Sequence, residues 1–244
     1  MKKIKIVVVM LLLISLISGC EKKKETTDDL IDPMPTAKNN YSDFISAADD
    51  DKIELLMSVQ AHEDWNEKYG QGVVTIYGQD DNGGYYCHEL VTDEITANAM
   101  TEGTLIRVVG YKNTNSNGEV SLVDSSCEII VGAYDGVVYD AKDITDKLDN
   151  TNELKKYMNQ KISISDLEVI ELSKNNDSSD PDIFITAMIN DKEISLCVES
   201  NLTNVNSDTY QIAENLEVGN IIDVEGFLYW NYGPNPRITT ITIK

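Results

Sequence analysis

Two stretches of the chain, residues 103–130 and 219–244, are related by an internal repeat. Five positions of the first stretch recur at a constant spacing in the second, so that Gly103, Ile106, Val108, Gly110 and Tyr111 match Gly219, Ile222, Val224, Gly226 and Phe227. Each copy reads as a turn, a strand with alternating apolar residues, a polar loop and a second strand. The repeat predicts two similar domains, which a chain of 244 residues can accommodate.

The segments before each repeat predict the same order of elements in both halves. Alternating apolar residues indicate three strands and then a short helix ahead of each pair of repeat strands. Three strands, a helix and two strands is the order of the OB-fold, a Greek-key barrel of five strands. We therefore predict a mainly β chain with two tandem five-stranded OB-fold-like modules, residues 41–135 and 136–244.

The N-terminus has the features of an export signal. Three lysines, an apolar run over residues 6–17 and small residues before Cys20 predict a signal peptide at residues 1–19. The run is shorter than the ~20 residues that a spanning helix needs. Residues 20–40 are polar and charged, which predicts a disordered tether.

Ile17-Ser18-Gly19-Cys20 resembles the lipobox of bacterial lipoproteins. The resemblance implies that Cys20 carries the lipid (palmitate among its chains) and anchors the protein at the cell membrane, facing outside the cytoplasm. A simple signal peptide with a chance cysteine is the alternative. Together with the modules and the closing GFLYWNYGPNPRITTITIK, the chain resembles lipoproteins of anaerobic Gram-positive bacteria. That resemblance implies a fold and a location, and no activity.

Acidic residues dominate the charge of the chain. There are 42 acidic and 20 basic residues, a net charge of −22. Removal of the signal takes away three lysines and no acid, which leaves 17 − 42 = −25. Nucleic-acid binding depends on Lys and Arg that neutralise phosphates, so this balance argues against nucleic acid as a partner. It also disfavours electrostatic attachment to an anionic membrane.

The candidate binding residues lie in two loops of the predicted modules. The loop after Phe227 contains Tyr229, Trp230, Tyr232 and Arg237, and the loop that follows the first strand contains His62 and Trp65. OB-folds bind ligands near such loops, and aromatic rings stack on sugars, peptides or unpaired bases. The alternative is that these rings close the barrel or the contact between modules. For Trp230 itself the sequence slightly favours exposure.

The sequence contains no recognisable catalytic or metal-binding motif. His88-Glu89 starts like a zinc motif, but Thr92 stands where the second histidine must be. We predict no enzyme activity, no cofactor and no metal. Cys87, Cys127 and Cys197 are expected to be small buried thiols, and whether any pair forms a disulfide is left open.

The function expected from these features is that of a non-catalytic, membrane-anchored lipoprotein. Its OB-like modules are expected to bind a glycan, a peptide or another envelope protein. Two alternatives remain: a nucleic-acid-binding OB-fold protein, and an accessory enzyme that acts on wall polymers through carboxylates.

Overall fold

In the computed structural model, which describes residues 35–131, 135–175 and 180–244, the chain forms two barrels from two six-stranded sheets. Barrel 1 comprises α1 (Tyr41–Ser46), β1 (Lys52–His62), β2 (Asn66–Lys68), β3 (Gln71–Gln79), β4 (Gly84–Val91), α2 (Glu94–Ala99), β5 (Leu105–Thr114) and β6 (Val120–Ile129). Barrel 2 comprises β7 (Lys142–Asp143), α3 (Thr151–Leu154), β8 (Lys161–Lys174), β9 (Ile183–Ile189), β10 (Lys192–Val198), α4 (Ser200–Thr203), α5 (Asp208–Glu214), β11 (Ile221–Phe227) and β12 (Arg237–Ile243). Short 3-10 turns span Thr145–Lys147 and Lys155–Tyr157.

The two sheets share one connectivity. In barrel 1, β1 pairs antiparallel with both β5 and β3, and β6 runs parallel to β4. In barrel 2, β8 pairs antiparallel with β11 and β9, and β12 runs parallel to β10. This is the predicted order of two tandem OB-like barrels, which is confirmed. Each sheet also has a short sixth strand, β2 or β7, that the sequence pattern did not indicate.

Every second side chain of the first long strand points into the core of its barrel. In β1, Ile53, Leu55, Met57 and Val59 are at most 3% exposed. In β8 the inward set is Ile162, Ile164, Leu167 and Val169, none of them exposed. The break in phase falls at a bulge, where the pairing with β11 shifts between Ile164 and Leu167 and Asp166 has a φ of 60°.

The two repeat glycines have the same structural role. Gly103 and Gly219 adopt φ values of 85° and 94°, a region that favours glycine. The amide of Gly103 donates to the carbonyl of Val59, and the amide of Gly219 donates to that of Val169, each over 2.8 Å. Both glycines therefore join the helix-to-strand turn to the equivalent strand, β1 or β8.

The three thiols after Cys20 are all free. Cys87 and Cys197 are buried and Cys127 is half-buried. Burial raises the pKa of the Cys127 thiol to about 11, and that of the other two thiols further. These are inert core groups.

The predicted boundary at residue 135 stays a prediction, since residues 34–244 form one compact unit and residues 132–134 lie outside the described ranges. The linker after that point lies on barrel 1. The Val137 amide donates to Ser58 Oγ, and Gln60 bonds both the Val137 carbonyl and the Tyr139 amide. Within the described part of the chain, no helix has the length and apolar character needed to cross a bilayer.

Candidate functional site

The loops between the last two strands of each barrel meet each other. Asn117, in the β5–β6 loop, accepts from the Tyr232 amide over 2.8 Å through its carbonyl. Its side chain donates to Asn231 Oδ1 over 2.8 Å. Gly118 lies against the Trp230 ring. In OB-folds this loop belongs to the ligand surface, whereas here both copies are used in the contact between barrels, which we call the seam.

Glu119 is the polar centre of the seam. It is 1% exposed, and its carboxylate accepts from Asn159 Nδ2 over 2.7 Å and from the Trp230 amide over 2.6 Å. Burial raises the pKa of this carboxyl to about 7, although both donors favour the charged form. A carboxylate of barrel 1 thus accepts hydrogen bonds from two donors of barrel 2. The same carboxylate is removed from water, which destabilises its charged form.

Aromatic rings cover the outer face of β3 and β4. Tyr77 stacks on Phe227 with the ring centroids 4.5 Å apart, and Tyr86 meets Tyr229 edge-on at 5.4 Å. Such pairs add about 0.5–1.5 kcal/mol beyond area burial. Tyr77 is only 1% exposed. Barrel 2 therefore covers the part of this face around Tyr77, a face that an OB-fold usually presents to ligand.

Arg237 lies at one side of this aromatic cluster. Its guanidinium is 4.2 Å from the centroid of the Tyr229 ring, and its Nε is 2.6 Å from Glu199 Oε1. Burial raises the pKa of Glu199 to about 7, even though Arg237 favours its charged form. Burial also raises the pKa of Glu63, which interacts with the carboxylate of Asp182. Arg237 is engaged within the protein and does not face an open site.

An open groove of about 700 Å³ runs along the other side of the seam, between α1 and the 3-10 turn Lys155–Tyr157. Apolar groups line it, and Lys155 and Lys156 stand at one wall; the apolar members are Tyr41, Ile45, Val120 and Met158. Val120 packs against both barrel cores, so the groove lies directly over the seam.

The two lysines of the groove differ in their partners. Lys156 pairs with Glu153 over 2.5 Å. Lys155 has no carboxylate partner among the described residues, and its Nζ lies 5.6 Å from the Trp230 ring centroid. Ser42 and Asn82 add side-chain polar groups to the walls. The groove combines an apolar surface with an ammonium group that is available to an anion.

The structure brings together only some of the predicted site residues. Tyr229 and Arg237 are in contact, and Tyr232 is 79% exposed. The expectation that Trp230 is exposed is wrong: the residue is 4% exposed, because its amide bonds Glu119 and its ring packs in the core of barrel 2. Cys20 lies outside the described residues.

The two residues predicted near β1 lie apart from that cluster. Trp65 donates from Nε1 to the Thr92 carbonyl over 3.0 Å and packs against the core of barrel 1. His62 Nδ1 lies 2.7 Å from the Glu63 carbonyl oxygen. Neither residue lines the groove. Among the described residues, no group of three or more His, Cys, Asp or Glu side chains is placed to hold a metal ion.

Sequence reasoning missed Tyr41, Lys155 and Glu119. The apolar spacing around α1 and α3 marks Tyr41, Leu154 and Met158 as apolar positions, but it gives no sign that α1 and the turn after α3 line one groove. Glu119 lies 40 residues from Asn159 and 111 from Trp230. No local pattern reports contacts at that separation.

No family model and no curated protein matches this chain. Solved structures similar to it include asparaginyl-tRNA synthetase from Pyrococcus horikoshii, with 16% identity, a TM-score of 0.28, and coverage of 34% of this chain and 19% of that one. A replication protein A heterotrimer bound to single-stranded DNA has 14% identity, a TM-score of 0.34 and coverage of 79% and 49%. The chain thus spans less than half the length of either protein.

A third similar structure is the Ifi202 HINa domain in complex with double-stranded DNA, with 11% identity, a TM-score of 0.37, and coverage of 81% of this chain and 97% of that one. Two of these three structures contain DNA, whereas the sequence led to the expectation that nucleic acid is not a partner of this chain. That expectation rested on the charge of the whole chain. Net charge does not describe a local surface, and the groove carries Lys155 and Lys156.

Proposed function

We propose that this protein is a non-enzymatic binding protein that holds its ligand in the groove between the two barrels. The groove is the observation that carries the proposal. It has a volume of about 700 Å³, an apolar surface and two lysines at one wall. Ligand sites usually have this form, a cleft of about 300–1,000 Å³ with a few placed polar groups.

The groove favours a ligand that combines a flat or apolar group with an anionic group. The first lies against Tyr41, Ile45 and Val120, and the second reaches Lys155. Lys155 has no carboxylate partner in the described part of the chain, so its ammonium group favours an anion at this point of a protein whose net charge is −22.

A short segment of single-stranded nucleic acid has this chemistry. A base lies against Tyr41 and a phosphate reaches Lys155; stacking of a base on an aromatic ring contributes about 1–3 kcal/mol. One or two lysines neutralise few phosphates. We therefore expect the logarithm of the binding constant to fall with the logarithm of salt concentration at a slope of about −0.7 to −1.4.

An acidic peptide is the second candidate. The observation that favours it is the presence of Ser42 and Asn82 in the walls of the groove. Hydroxyl and amide side chains pair with the N–H and C=O groups of a peptide backbone. A carboxylate of the same peptide would reach Lys155.

Fluorescence anisotropy with two rhodamine-labelled probes tests the groove and separates the candidates. The probes are a short oligothymidylate and a short peptide of alternating Glu and Leu. We expect one of them to bind, and Lys155→Glu to weaken binding about tenfold or more. Lys192→Glu, on the β9–β10 hairpin, makes the same charge change away from the groove and is the matched control. Absence of binding by both probes, or equal effects of the two variants, would refute the proposal.

We also propose that the protein is exported and anchored through lipid on Cys20. The basic start, the apolar run and the lipobox-like Ile17-Ser18-Gly19-Cys20 support this. With a net charge of −25, the mature chain is repelled by an anionic membrane, so electrostatic attraction does not attach it there. Cys20→Ala should release the protein into the medium or leave it unprocessed, while Cys127→Ala stays membrane-bound. Unchanged retention of Cys20→Ala without a lipid label contradicts the anchor.

The absence of enzyme activity is part of the proposal. It is supported by the lack of a catalytic motif in the sequence and by the engagement of Arg237 and Glu199 with each other. Incubation of the protein with cell-wall glycans, followed by product analysis, tests it directly. Turnover that depends on Glu199 or Glu63 would show an enzyme instead.

A further inference from the structure

Glu119 lies directly beneath the groove. Its two neighbours in sequence, Gly118 and Val120, line the groove, and its carboxylate bonds Asn159, which precedes β8. Its second oxygen accepts from the Trp230 amide, whose ring is the one beneath Lys155. A ligand in the groove therefore contacts residues that are adjacent to the buried carboxyl of Glu119.

The groups that face Glu119 offer it little positive charge. Tyr41 of α1, Tyr77 of β3 and Tyr229 of the β11–β12 loop all interact electrostatically with it. Arg237 of β12 favours its charged form but is already paired with Glu199. From the 3-10 turn, Lys155 contacts the Trp230 ring and makes no ion pair with Glu119. Desolvation is the largest influence on the carboxyl, and it favours the neutral form.

We propose that the groove takes up a proton together with its anionic ligand, and that Glu119 receives this proton. The inference rests on the groove function proposed above. An anion held at Lys155 repels the Glu119 carboxylate across the Trp230 ring, and a ligand over Gly118 and Val120 removes water from the same region. Both effects disfavour the charged carboxyl, so ligand binding and protonation favour each other.

The size of the effect follows from the distances involved. Trp230 connects the two sites, since the Lys155 ammonium is 5.6 Å from the centroid of its ring and Glu119 is bonded to its amide. For a separation on the order of 10 Å and an effective dielectric constant of about 20, the repulsion between two unit charges changes an equilibrium constant about tenfold. We expect the dissociation constant to rise about tenfold between pH 6 and pH 8, with uptake of at most about one proton.

The test uses whichever of the two rhodamine-labelled probes binds, because the phosphodiesters and thymines of the oligothymidylate and the glutamates of the peptide do not titrate between about pH 6 and pH 8. Glu119→Gln should remove most of the pH dependence of binding, so that the dissociation constant of the probe is nearly the same at about pH 6 and pH 8. Glu94→Gln, at an exposed position on α2, is the matched control and should keep the pH dependence of the wild type. Glu199 is unchanged in both variants, so any contribution from its own titration stays.

Calorimetry on the wild-type protein gives a second measurement that needs no variant to fold. Titrations near pH 7 in two buffers of different ionisation enthalpy count the protons taken up on binding. Proton uptake that disappears in Glu119→Gln supports the inference. Binding of equal strength at about pH 6 and pH 8 without proton uptake overturns it and leaves the groove function standing. Absence of binding by both the oligothymidylate and the peptide at every pH overturns the groove function itself.

Discussion

The seam between the barrels can be probed by one added methyl group at Gly84. A Cβ at this position would lie 2.2 Å from the carbonyl carbon of Asn159 and 2.4 Å from the amide nitrogen of Gln160, where ordinary contacts begin at 3.4 Å. Gly84→Ala therefore has to move the two backbones apart by about 1.2 Å. That movement disturbs the nearby bond from the Lys161 amide to Gln79 Oε1, which is 3.0 Å long.

Overpacking of this kind costs about 1–3 kcal/mol, and the smaller conformational entropy of the unfolded alanine variant offsets about 0.4–1 kcal/mol of it. In a chain of this size each kcal/mol lowers the melting temperature by about 2–4 °C. Urea and thermal unfolding measure the loss. Gly233→Ala is the matched control, because no atom of the described residues lies within 4 Å of its Cβ position. If Gly84→Ala unfolded like wild type, the close approach of the barrels described here would be wrong.

Three further predictions concern the seam. Trp230→Ala should destabilise the protein by about 3–5 kcal/mol, as for other buried large residues, while Tyr232→Ala changes stability by less than about 0.5 kcal/mol; similar losses in urea titrations contradict the burial of Trp230. Burial raises the pKa of Glu119 from its usual 4.5 to about 7. The carboxyl is neutral in both the folded and the unfolded state below pH 4.5. Between pH 4.5 and pH 7 it ionises more readily in the unfolded state, so the free energy of unfolding of the wild type falls as the pH rises. The stability of Glu119→Gln relative to wild type should therefore increase by about 2–3 kcal/mol over that window, and a constant difference refutes the assignment. Fragments 41–135 and 136–244 should each melt cooperatively in circular dichroism, and mixing should raise both transitions; two non-cooperative melts would show a single shared core.

The order of strands and turns in this protein can be predicted from the sequence because each element has a local pattern of apolar residues. Alternation identifies β1 and β8. The alternation changes phase at Ser165-Asp166, where the structure has a bulge. The repeat predicts that Gly103 and Gly219 have equivalent roles. Each of these signals lies within a few residues of the element that it describes. The physics that produces them, burial of alternate side chains and the steric freedom of glycine, is equally local.

The functional surface cannot be predicted in this way. Trp230 follows a strand in a loop with aromatic neighbours, a setting compatible with either exposure or burial. It is buried because its ring packs in the core of barrel 2 and against Gly118, and because its amide bonds Glu119; both of these partners come from the other barrel. The groove likewise exists only because α1 and the turn at Lys155 approach each other. Neither sequence segment contains information about the other, so these contacts appear only in three dimensions.

The pairing of Tyr77 with Phe227 covers a sheet face on one barrel only. Tyr77 belongs to β3, whereas Phe227 belongs to β11, the counterpart of β5, so this contact joins non-equivalent surfaces of the two barrels. The corresponding face of barrel 2 carries Phe184 at 40% exposure, where the same face of barrel 1 has Tyr77 at 1%. The two barrels are therefore not equivalent in the molecule. Barrel 1 has part of its outer sheet face covered by barrel 2, whereas barrel 2 presents the corresponding face to solvent.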